Sequence, residues 1–444
     1  DVSPYIRRDY APLAERVRAL TRHCAAIPDL LAAADALLHE RLALVILQQS
    51  SATFESLAHF HLGELAAVVQ PVGDAAILAD FQRVNHAAVV ALRAFAAALR
   101  ARLPLATPDL ALGADILHGM LAANELIDLP LEDLTALGEA DLARNQARIA
   151  EVAARLGLAP AAAMADLARH HPPPHMILHR TRMLCETLRQ FCLDRALVTV
   201  LGEARCQVHE TLPYMRNGSA YMDVPGPFDA PGSPAFFYLT LPDPTWSHAQ
   251  QEAWLAKQSI PGLANTCAHE AWPGHFLQYL HLLRAPTVAS KIFTSVSFVE
   301  GWAHYAEEMI SEAGFGAEDP RFELQHLSMA LLRDCRFLVA LRLHAGQMSI
   351  DAAASFIART AFFTPLRAQQ EAQRGARAPG YLNYTLGKLL FLRLRDDLRA
   401  AYPAWSTRQL HDALLAFGAP PIPLLREMLL NTSPNSPTLV PFRP

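Results

Sequence analysis

Apolar residues recur every three to four positions along most of the chain, which is the spacing of one face of an α-helix. The pattern predicts helices over 81–102, 115–125, 139–156, 176–201, 295–313, 324–344, 350–361 and 384–402. Residues 5–40 are also helical in pattern, and Pro28 is expected to divide them because proline cannot donate a helical hydrogen bond. Asp133 is expected to cap the helix that follows it.

Between 210 and 246 glycine, proline and aromatic residues become frequent. The segment 235–240 (Ala-Phe-Phe-Tyr-Leu-Thr) is the best strand candidate, and residues 219–222 are expected to pair with it. Tyr221 in this second strand is a candidate substrate contact, because an edge strand can hold an extended peptide through its backbone groups. A purely structural hairpin explains the same residues. The segment 374–381 has the glycine and proline of a loop.

Length and composition favour a mainly helical protein. The 444 residues suffice for one large domain or two lobes, and we expect an N-terminal helical lobe over 1–205 and a catalytic lobe over 206–444. Apolar residues make up 52% of the chain, but they form no run long enough to span a membrane. A net charge of −5 gives no electrostatic reason to expect a nucleic-acid partner.

The six cysteines show no paired spacing, which favours reduced, buried thiols over disulfides or a metal framework. Cys267 lies two positions before His269 and would face away from it on a helix. The chain begins at Asp1 without a signal-like segment. We therefore leave location open between the cytoplasm, which these features favour, and an exported form. The oligomeric state is not indicated by the sequence.

The strongest chemical signal is His269-Glu-Ala-Trp-Pro-Gly-His275, followed by a glutamate, Glu300, on a later predicted helix. A catalytic zinc site needs three protein ligands, an open position for water and a nearby general base. His269, His275 and Glu300 supply the ligands, and Glu270 supplies the base. The sequence therefore predicts a Zn²⁺ cofactor, with zinc-bound water as the nucleophile.

The two histidines are six positions apart, or about 120° apart around an ideal helix. They can share one ion only if the helix is interrupted between them. Pro273 lacks the N–H that would bond to the carbonyl four residues earlier, and Gly274 tolerates unusual dihedrals. We expect a break over 271–274, after which the helix resumes to about residue 284. Alternatively, Pro-Gly ends one helix and His275 begins an unrelated segment.

Two motifs carry a family resemblance: His-Glu-x-x-Pro-Gly-His-x-x-Gln, which ends at Gln278, and Glu-Gly-Trp-Ala-x-Tyr-x-Glu, which spans 300–307. Together they resemble the DUF885 family, a bacterial group placed among the gluzincin metallopeptidases. Weaker similarity at 134–139 and 379–388 extends the resemblance over roughly 110–400. It implies a large helical gluzincin-like fold with a central groove, a small β-hairpin or sheet near the metal site, and Glu300 as a zinc ligand.

Further residues have candidate roles around this site. Tyr384, Tyr381 and His304 are candidate donors to the oxyanion that forms during hydrolysis. Glu307 is expected to orient a ligand imidazole, and Gln278 is a second candidate for this outer shell. Arg377 and Lys388 are candidate contacts for a substrate carboxylate, although both residues are equally explained as surface charges.

The predicted function is zinc-dependent hydrolysis of peptide bonds, as a carboxypeptidase or dipeptidase acting on short peptides. One alternative keeps the site but changes the substrate to an amide in a small metabolite or a modified peptide of a biosynthetic pathway. Two histidines and a carboxylate also compose the site of non-haem Fe(II) enzymes, but that alternative leaves Glu270 unexplained. A non-catalytic binding protein would not need all four of the residues His269, Glu270, His275 and Glu300. The substrate itself is not encoded in any motif.

Overall fold

A computed structural model describes residues 2–39, 41–211, 215–216, 218–230 and 232–430. Its described residues divide into two compact units, one formed by those within 2–110 with 215–216 and the other by those within 111–211 and 218–430. The expected lobes, 1–205 and 206–444, have their boundary at a different position. That division into a helical and a catalytic lobe stays a prediction. Both units are mainly helical, as expected.

The first unit is built from six helices in its described part. They are α1 (Ser3–Arg7), α2 (Leu13–Ala25), α3 (Ile27–Leu37), α4 (Leu44–Leu62), α5 (Glu64–Val69) and α6 (Ala75–Ala101), with 3₁₀ turns at Gln70–Val72 and Leu103–Leu105. The break before Pro28 is confirmed, because α2 ends at Ala25 and α3 begins at Ile27. The long helix α6 is capped by Asp74, whose carboxylate accepts from two backbone N–H groups.

The second unit contains the predicted site. Its helices are α7 (Ala114–Glu125), α8 (Leu131–Arg155), α9 (Pro160–Leu167), α10 (Ile177–Asp194), α11 (His248–Leu255), α12 (Ile260–Glu270), α13 (His275–Leu282), α14 (Val288–Ile292), α15 (Val296–Glu312), α16 (Pro320–His344), α17 (Ile350–Thr360), α18 (Pro365–Arg377), α19 (Asn383–Ala401), α20 (Thr407–Leu415) and α21 (Ile422–Leu430). Short 3₁₀ helices lie at Pro174–Met176 and Pro379–Leu382. None of the described helices is long and apolar enough to cross a membrane.

Helices α15 and α19 pack against each other with their backbones almost in contact. A Cβ atom added to Gly387 would lie 1.8 Å from the carbonyl oxygen of Ser297, and one added to Gly301 would lie 2.4 Å from Cα of Gly387. Fully buried aromatic side chains, including Trp302 and Phe391, pack around this crossing. The glycines therefore fix the position of the helix that carries Glu300.

A three-stranded sheet lies in the same unit, with strands β1 (Gln207–Glu210), β2 (Ala220–Asp223) and β3 (Phe236–Leu239) in the order β1-β3-β2. The expected pairing is confirmed, since β2 runs antiparallel to β3 with Tyr221 opposite Tyr238. Strand β1, which runs parallel to β3, was not predicted. Its sequence is mostly polar and only Val208 is buried.

Several expectations about helix boundaries are wrong. Helix α6 begins at Ala75 rather than at residue 81, and α8 begins at Leu131 rather than at residue 139. Asp133 does not cap a helix; it lies in the first turn of α8, whose N-cap position is Pro130. Helix α10 ends at Asp194 rather than near residue 201. The expected loop over 374–381 is helical as far as Arg377, because the helix-breaking Pro379 lies beyond the end of α18.

Candidate metal centre

Helix α12 carries His269 and Glu270 in its last turn. Its start is fixed by Ser259, whose hydroxyl accepts from the backbone N–H of Gly262, and by Pro261 in the first turn. His269 and Glu270 are both buried, with 8% and 7% of their surface exposed. The last turn of α12 thus presents an imidazole and a carboxyl group away from bulk solvent.

The chain is interrupted between the two histidines, as the sequence predicts. Helix α12 ends at Glu270 and α13 begins at His275. Gly274 is required by a close approach, because a Cβ there would lie 1.8 Å from the carbonyl oxygen of His269. The indole N–H of Trp302 donates to the carbonyl of Pro273 at 2.9 Å and joins the interruption to α15.

Glu300 on α15 completes a compact group with the two histidines. Its Oε2 atom lies 3.6 Å from Nε2 of His269 and 3.6 Å from Nε2 of His275. One donor atom from each of the three residues lies within 4.8 Å of the others, and no second group of this kind occurs among the described residues. Cys267 is not part of the group; its thiol is buried and faces the carbonyl of Thr181.

The donor atoms fit a zinc ion. Ligands bonded at about 2.1 Å to a tetrahedral ion lie about 3.4 Å apart, close to the separations of Glu300 from the two imidazoles. Oε2 of Glu300 is buried and has no hydrogen-bond partner in the described part of the chain. An unpaired buried carboxylate oxygen is costly, and a bound cation would satisfy it.

Glu307 orients His269 from the side away from the group. Nδ1 of His269 donates to Oε1 of Glu307 at 2.7 Å, which leaves Nε2 facing Glu300 and His275. Such a carboxylate fixes the tautomer of a metal-binding histidine. The position of Glu307 agrees with its predicted role.

Arg333 on α16 holds Glu307 and was not predicted. Its guanidinium lies 2.7 Å from Oε1 of Glu307, and the amide of Asn265 donates to Oε2 at 2.8 Å. Burial alone would raise the pKa of Glu307, but Arg333 and the His269 ring outweigh it and keep the pKa well below its usual range. No pattern in the sequence singles Arg333 out, since Asp334, Arg336 and Arg342 are further charged residues on the same helix.

A cavity of about 530 Å³ opens onto the three candidate ligands. Glu270 lines it, and burial raises the pKa of this carboxyl. Apolar side chains form much of its wall: Met222, Val224, Leu282 and Val299. A general base beside three metal ligands in a partly apolar cavity is an arrangement suited to attack by water on a polarised carbonyl.

The two candidate tyrosines lie in different surroundings. Tyr384 lines the cavity, and its ring stacks near that of His269 with centroids 6.4 Å apart. Burial, with the charge of Glu300 in addition, raises the pKa of Tyr384 to about 12, so the phenol is a donor at neutral pH. Tyr381 is buried, and its hydroxyl donates to Glu371 at 2.9 Å. The structure therefore brings Tyr384, and not the hydroxyl of Tyr381, to the cavity.

His304 lies behind the cavity rather than in it. The ring is fully buried, and its Nδ1 atom is 3.8 Å from Oε2 of Glu307. Neither ring nitrogen has a hydrogen-bond partner among the described residues. Burial, together with the nearby charge of Arg333, lowers the pKa of His304 to about 3, so the ring is neutral.

The two basic residues predicted to bind a substrate carboxylate, Lys388 and Arg377, do not line the cavity. Lys388 is fully buried, and its ammonium group donates to Asp141 at 2.7 Å, so it is neither a surface charge nor free for a ligand. Arg377 is exposed, and its Nε atom bonds to the carbonyl of Gln373 on its own helix. Arg374, one turn earlier on α18, lines the cavity instead.

Tyr221 and Gln278 both line the cavity. The Tyr221 ring stacks on Tyr238 of the neighbouring strand at 5.0 Å. Gln278 is buried, and its amide nitrogen has no hydrogen-bond partner in the described structure. This unpaired donor makes Gln278 available to a ligand in the cavity.

Comparison with known proteins identifies a family but no activity. The model of the family described as "Bacterial protein of unknown function (DUF885)" matches residues 1–429. No curated protein matches the chain.

Two solved structures share the fold. One, from Shewanella oneidensis, is described as a "putative lipoprotein of unknown function"; it has a TM-score of 0.79 and 21% identity, covering 97% of this chain and 81% of that one. Another, a "putative lipoprotein" from Colwellia psychrerythraea, has a TM-score of 0.82 and 18% identity over 94% of this chain and 76% of that one. These two likenesses concern the fold, whereas the match of the family model to residues 1–429 shows that the chain belongs to the DUF885 family.

Proposed function

We propose that this protein is a zinc-dependent hydrolase of amide bonds, most suited to short peptides, with a metal centre of the gluzincin type. The observation that carries the proposal is the position of Glu270, which lines the same cavity as His269, His275 and Glu300. Three ligands and an adjacent general base on an interrupted helix are the elements of a metallopeptidase site. The facial triad of an Fe(II) oxygenase would give Glu270 no role.

In the proposed reaction the metal ligands, Glu270 and Tyr384 have separate roles. Zn²⁺ held by His269, His275 and Glu300 would act as a Lewis acid and lower the pKa of water to about 7. Glu270 accepts the proton of the attacking water and later delivers it to the leaving amine. Tyr384 donates its phenolic hydrogen to the oxyanion that develops on the substrate carbonyl.

The sheet supports the proposed peptide substrate. Because the strand order is β1-β3-β2, β2 is an edge strand, and its residues Ala220, Tyr221 and Met222 line the cavity. An edge strand offers N–H and C=O groups to an extended chain, which would align the scissile bond over the metal centre.

The cavity size supports small substrates. A volume of about 530 Å³ is within the range of sites for small molecules and short peptides. For the same reason it supports the alternative, an amide in a small metabolite or a modified peptide.

The decisive experiment combines metal analysis with substrate profiling. The purified protein should contain about one zinc per chain, and the zinc-loaded form should cleave members of a mixed peptide library, with products identified by mass spectrometry. Glu270→Gln should keep the zinc but lose hydrolysis by several orders of magnitude, because it removes the base and not a ligand. Full activity in Glu270→Gln would disprove the assigned base, and zinc-independent cleavage would disprove the metal centre.

An exported location is also proposed. The two structural neighbours are described as putative lipoproteins, which supports export, whereas the expected preference for the cytoplasm gains no support from them. Fractionation of the producing bacterium should recover the protein outside the cytoplasm. Recovery with cytoplasmic marker enzymes would contradict this proposal.

A further inference from the structure

Among the described residues that line the cavity, Arg374 is the one arginine or lysine, and the predicted function gave it no role. It lies in the last turn of α18 and is exposed, and its guanidinium carbon lies 4.9 Å from the centre of the Tyr381 ring. Stacking on the tyrosine face leaves the edge of the guanidinium, where its N–H groups are, free for another partner.

Glu371, a carboxylate on which the charge of Arg374 acts, is already hydrogen-bonded to other donors. Glu371 receives two hydrogen bonds from Arg336, at 2.9 and 3.1 Å, and a third from the hydroxyl of Tyr381. No ion pair between Arg374 and a carboxylate occurs among the described residues.

Two more cations near Glu371 also lack a carboxylate partner in the described structure. Arg367 lies over the ring of Phe363 at 3.5 Å, and Lys257 lies over the ring of Trp254 at 4.3 Å. With Arg336 and Arg374 they place four positive charges around the single negative charge of Glu371. We call these four residues, Lys257, Arg336, Arg367 and Arg374, the basic cluster.

Burial disfavours the charged form of two members of the basic cluster, and neighbouring positive charges add to this effect. Loss of hydration, with the charge of Arg367 in addition, lowers the pKa of Lys257 to about 8 although this side chain keeps contact with solvent. Burial lowers the pKa of Arg367 to about 10. The whole chain carries a net charge of −5, so this local excess of positive charge is not a reflection of composition. An anion bound at the cluster would offset the repulsion.

We infer that Arg374 binds a carboxylate group of the substrate, and that the basic cluster attracts it to the cavity. This rests on the proposed function and specifies its substrate class: amides with a carboxylate close to the scissile bond. A guanidinium can grip a carboxylate through two parallel hydrogen bonds, which fixes the orientation of the substrate as well as its charge.

The carboxylate has two chemical sources, and matched probes separate them. Because the cavity wall is largely apolar, we choose leucine peptides: N-acetyl-Leu-Leu with a free carboxylate, its C-terminal amide, and N-acetyl-Leu-Asp amide. Their dissociation constants are measured by calorimetry with the zinc-loaded Glu270→Gln variant, which holds the probes without cleaving them. Binding is thus tested even if no peptide in a library is hydrolysed, so this inference and the hydrolase proposal fail separately.

We expect at least one of the two acidic probes to bind about 10- to 100-fold more tightly than the neutral amide. Preference for N-acetyl-Leu-Leu would identify a C-terminal carboxylate, and preference for N-acetyl-Leu-Asp amide would identify an acidic side chain. Adding Arg374→Gln should remove the preference while leaving affinity for the neutral amide within about twofold. Equal binding of all three probes, or no binding of any, would overturn the inference.

Two further arginines provide controls in the same background. Arg359→Gln changes an exposed arginine in the last turn of α17, outside the cavity lining, and should leave all three affinities unchanged. Arg377→Gln tests the residue that the sequence favoured. If Arg377→Gln removes the acidic preference and Arg374→Gln retains it, the assignment to Arg374 is wrong.

Discussion

Glu307 links three neighbouring groups to the candidate metal centre. One oxygen accepts from His269 and lies against Arg333, and the other accepts from Asn265. The carboxylate is completely buried, so these contacts are not shared with bulk water. Its negative charge makes Nε2 of His269 a better metal ligand, while Arg333 prevents the carboxylate from taking up a proton.

Replacing Glu307 by glutamine should weaken zinc binding by about 10- to 100-fold, because the amide keeps the shape but loses the charge that polarises His269. Zinc affinity would be measured by competition with a chromogenic chelator. Glu312→Gln, at an exposed site on the same helix that pairs with Arg395, is the matched control and should bind zinc normally. Equal affinities for the two variants would refute this role of Glu307.

At the residue scale, the sequence predicted those members of the site that lie in local motifs. His269, Glu270 and His275 are consecutive or nearly so, and Glu300 and Glu307 share one helix. Arg333 and Arg374 were missed because each comes from a separate helix whose own pattern gives no sign of the site. Their roles depend on long-range packing, which spacing along the chain does not encode.

Among the elements, the crossing of α15 and α19 sets the geometry of the cavity. Helix α15 carries Glu300, and α19 carries Tyr384. Gly301 and Gly387 let the two backbones touch, so no side chain separates them. The distance between Glu300, a candidate metal ligand, and the phenol of Tyr384 is thereby set by main-chain contact.

Gly387→Ala should destabilise the protein by about 1–3 kcal/mol and lower its affinity for zinc, because the added methyl group overlaps the carbonyl of Ser297 and pushes α15 away. Urea unfolding and chelator competition measure the two effects. Gly119→Ala is the control, since this glycine lies within α7 with nothing within 4 Å of the added carbon. That variant should gain up to about 1 kcal/mol from helix propensity. If Gly387→Ala leaves both stability and zinc affinity unchanged, the two helices can move apart at their crossing without effect on the site.

Most helices were predictable from apolar periodicity, and both ends of α7, α15, α17 and α19 lie within one residue of the predicted ones, but other helix ends were not predicted. Residues 374–377 have the composition of a loop, yet α18 contains them because Gly375 and Ala376 pack in the interior. Strand β1 is mostly polar, and its pairing with β3 depends on residues nearly thirty positions away. The interruption at Pro273 and Gly274 was predictable because proline and glycine act on the backbone locally.

For the molecule as a whole, buried neutral histidines link stability to pH. His411 on α20 is 2% exposed; its Nδ1 donates to the carbonyl of Leu197 at 2.7 Å, and its Nε2 accepts from the hydroxyl of Tyr305 at 2.7 Å. Burial, followed by the positive charge of Arg395, lowers the pKa of His411 to about 4.

In the unfolded chain His411 takes up a proton near pH 6.5, but in the folded protein only near pH 4. The unfolded state therefore binds more protons between these values, and the free energy of unfolding falls as the pH falls. We expect His411 to contribute a loss of about 3 kcal/mol over this window and none above it. Urea unfolding at pH 7.5, 6 and 5 measures the free energy of unfolding. Between pH 7.5 and 5 this free energy should fall less for His411→Gln than for the wild type, whatever the stability of the variant at pH 7.5.

His86→Gln, which changes an exposed histidine on α6, serves as the control and should follow the wild-type pH dependence. If the free energy of unfolding falls equally with pH for wild type and His411→Gln, His411 is not the source of the pH dependence.

Composition and periodicity predicted a mainly helical molecule with a small sheet, and that much is confirmed. They did not predict a compact unit ending near residue 110, because helices of similar amphipathic pattern lie on both sides of this boundary. The resemblance indicated the family, which the match over residues 1–429 confirms.

The contact between Gly301 and Gly387 has a consequence for how this family can diversify. Main-chain atoms of the two helices meet there without side chains between them, so changes in the surrounding side chains cannot adjust this contact. Substitutions elsewhere in the chain should therefore leave the distance between Glu300 and Tyr384 unchanged. The parts of the cavity lining that come from β2 and the end of α18 consist of side chains, which substitution can change. We expect relatives to keep one reaction while exchanging Tyr221, Met222 and Arg374 to acquire new substrates.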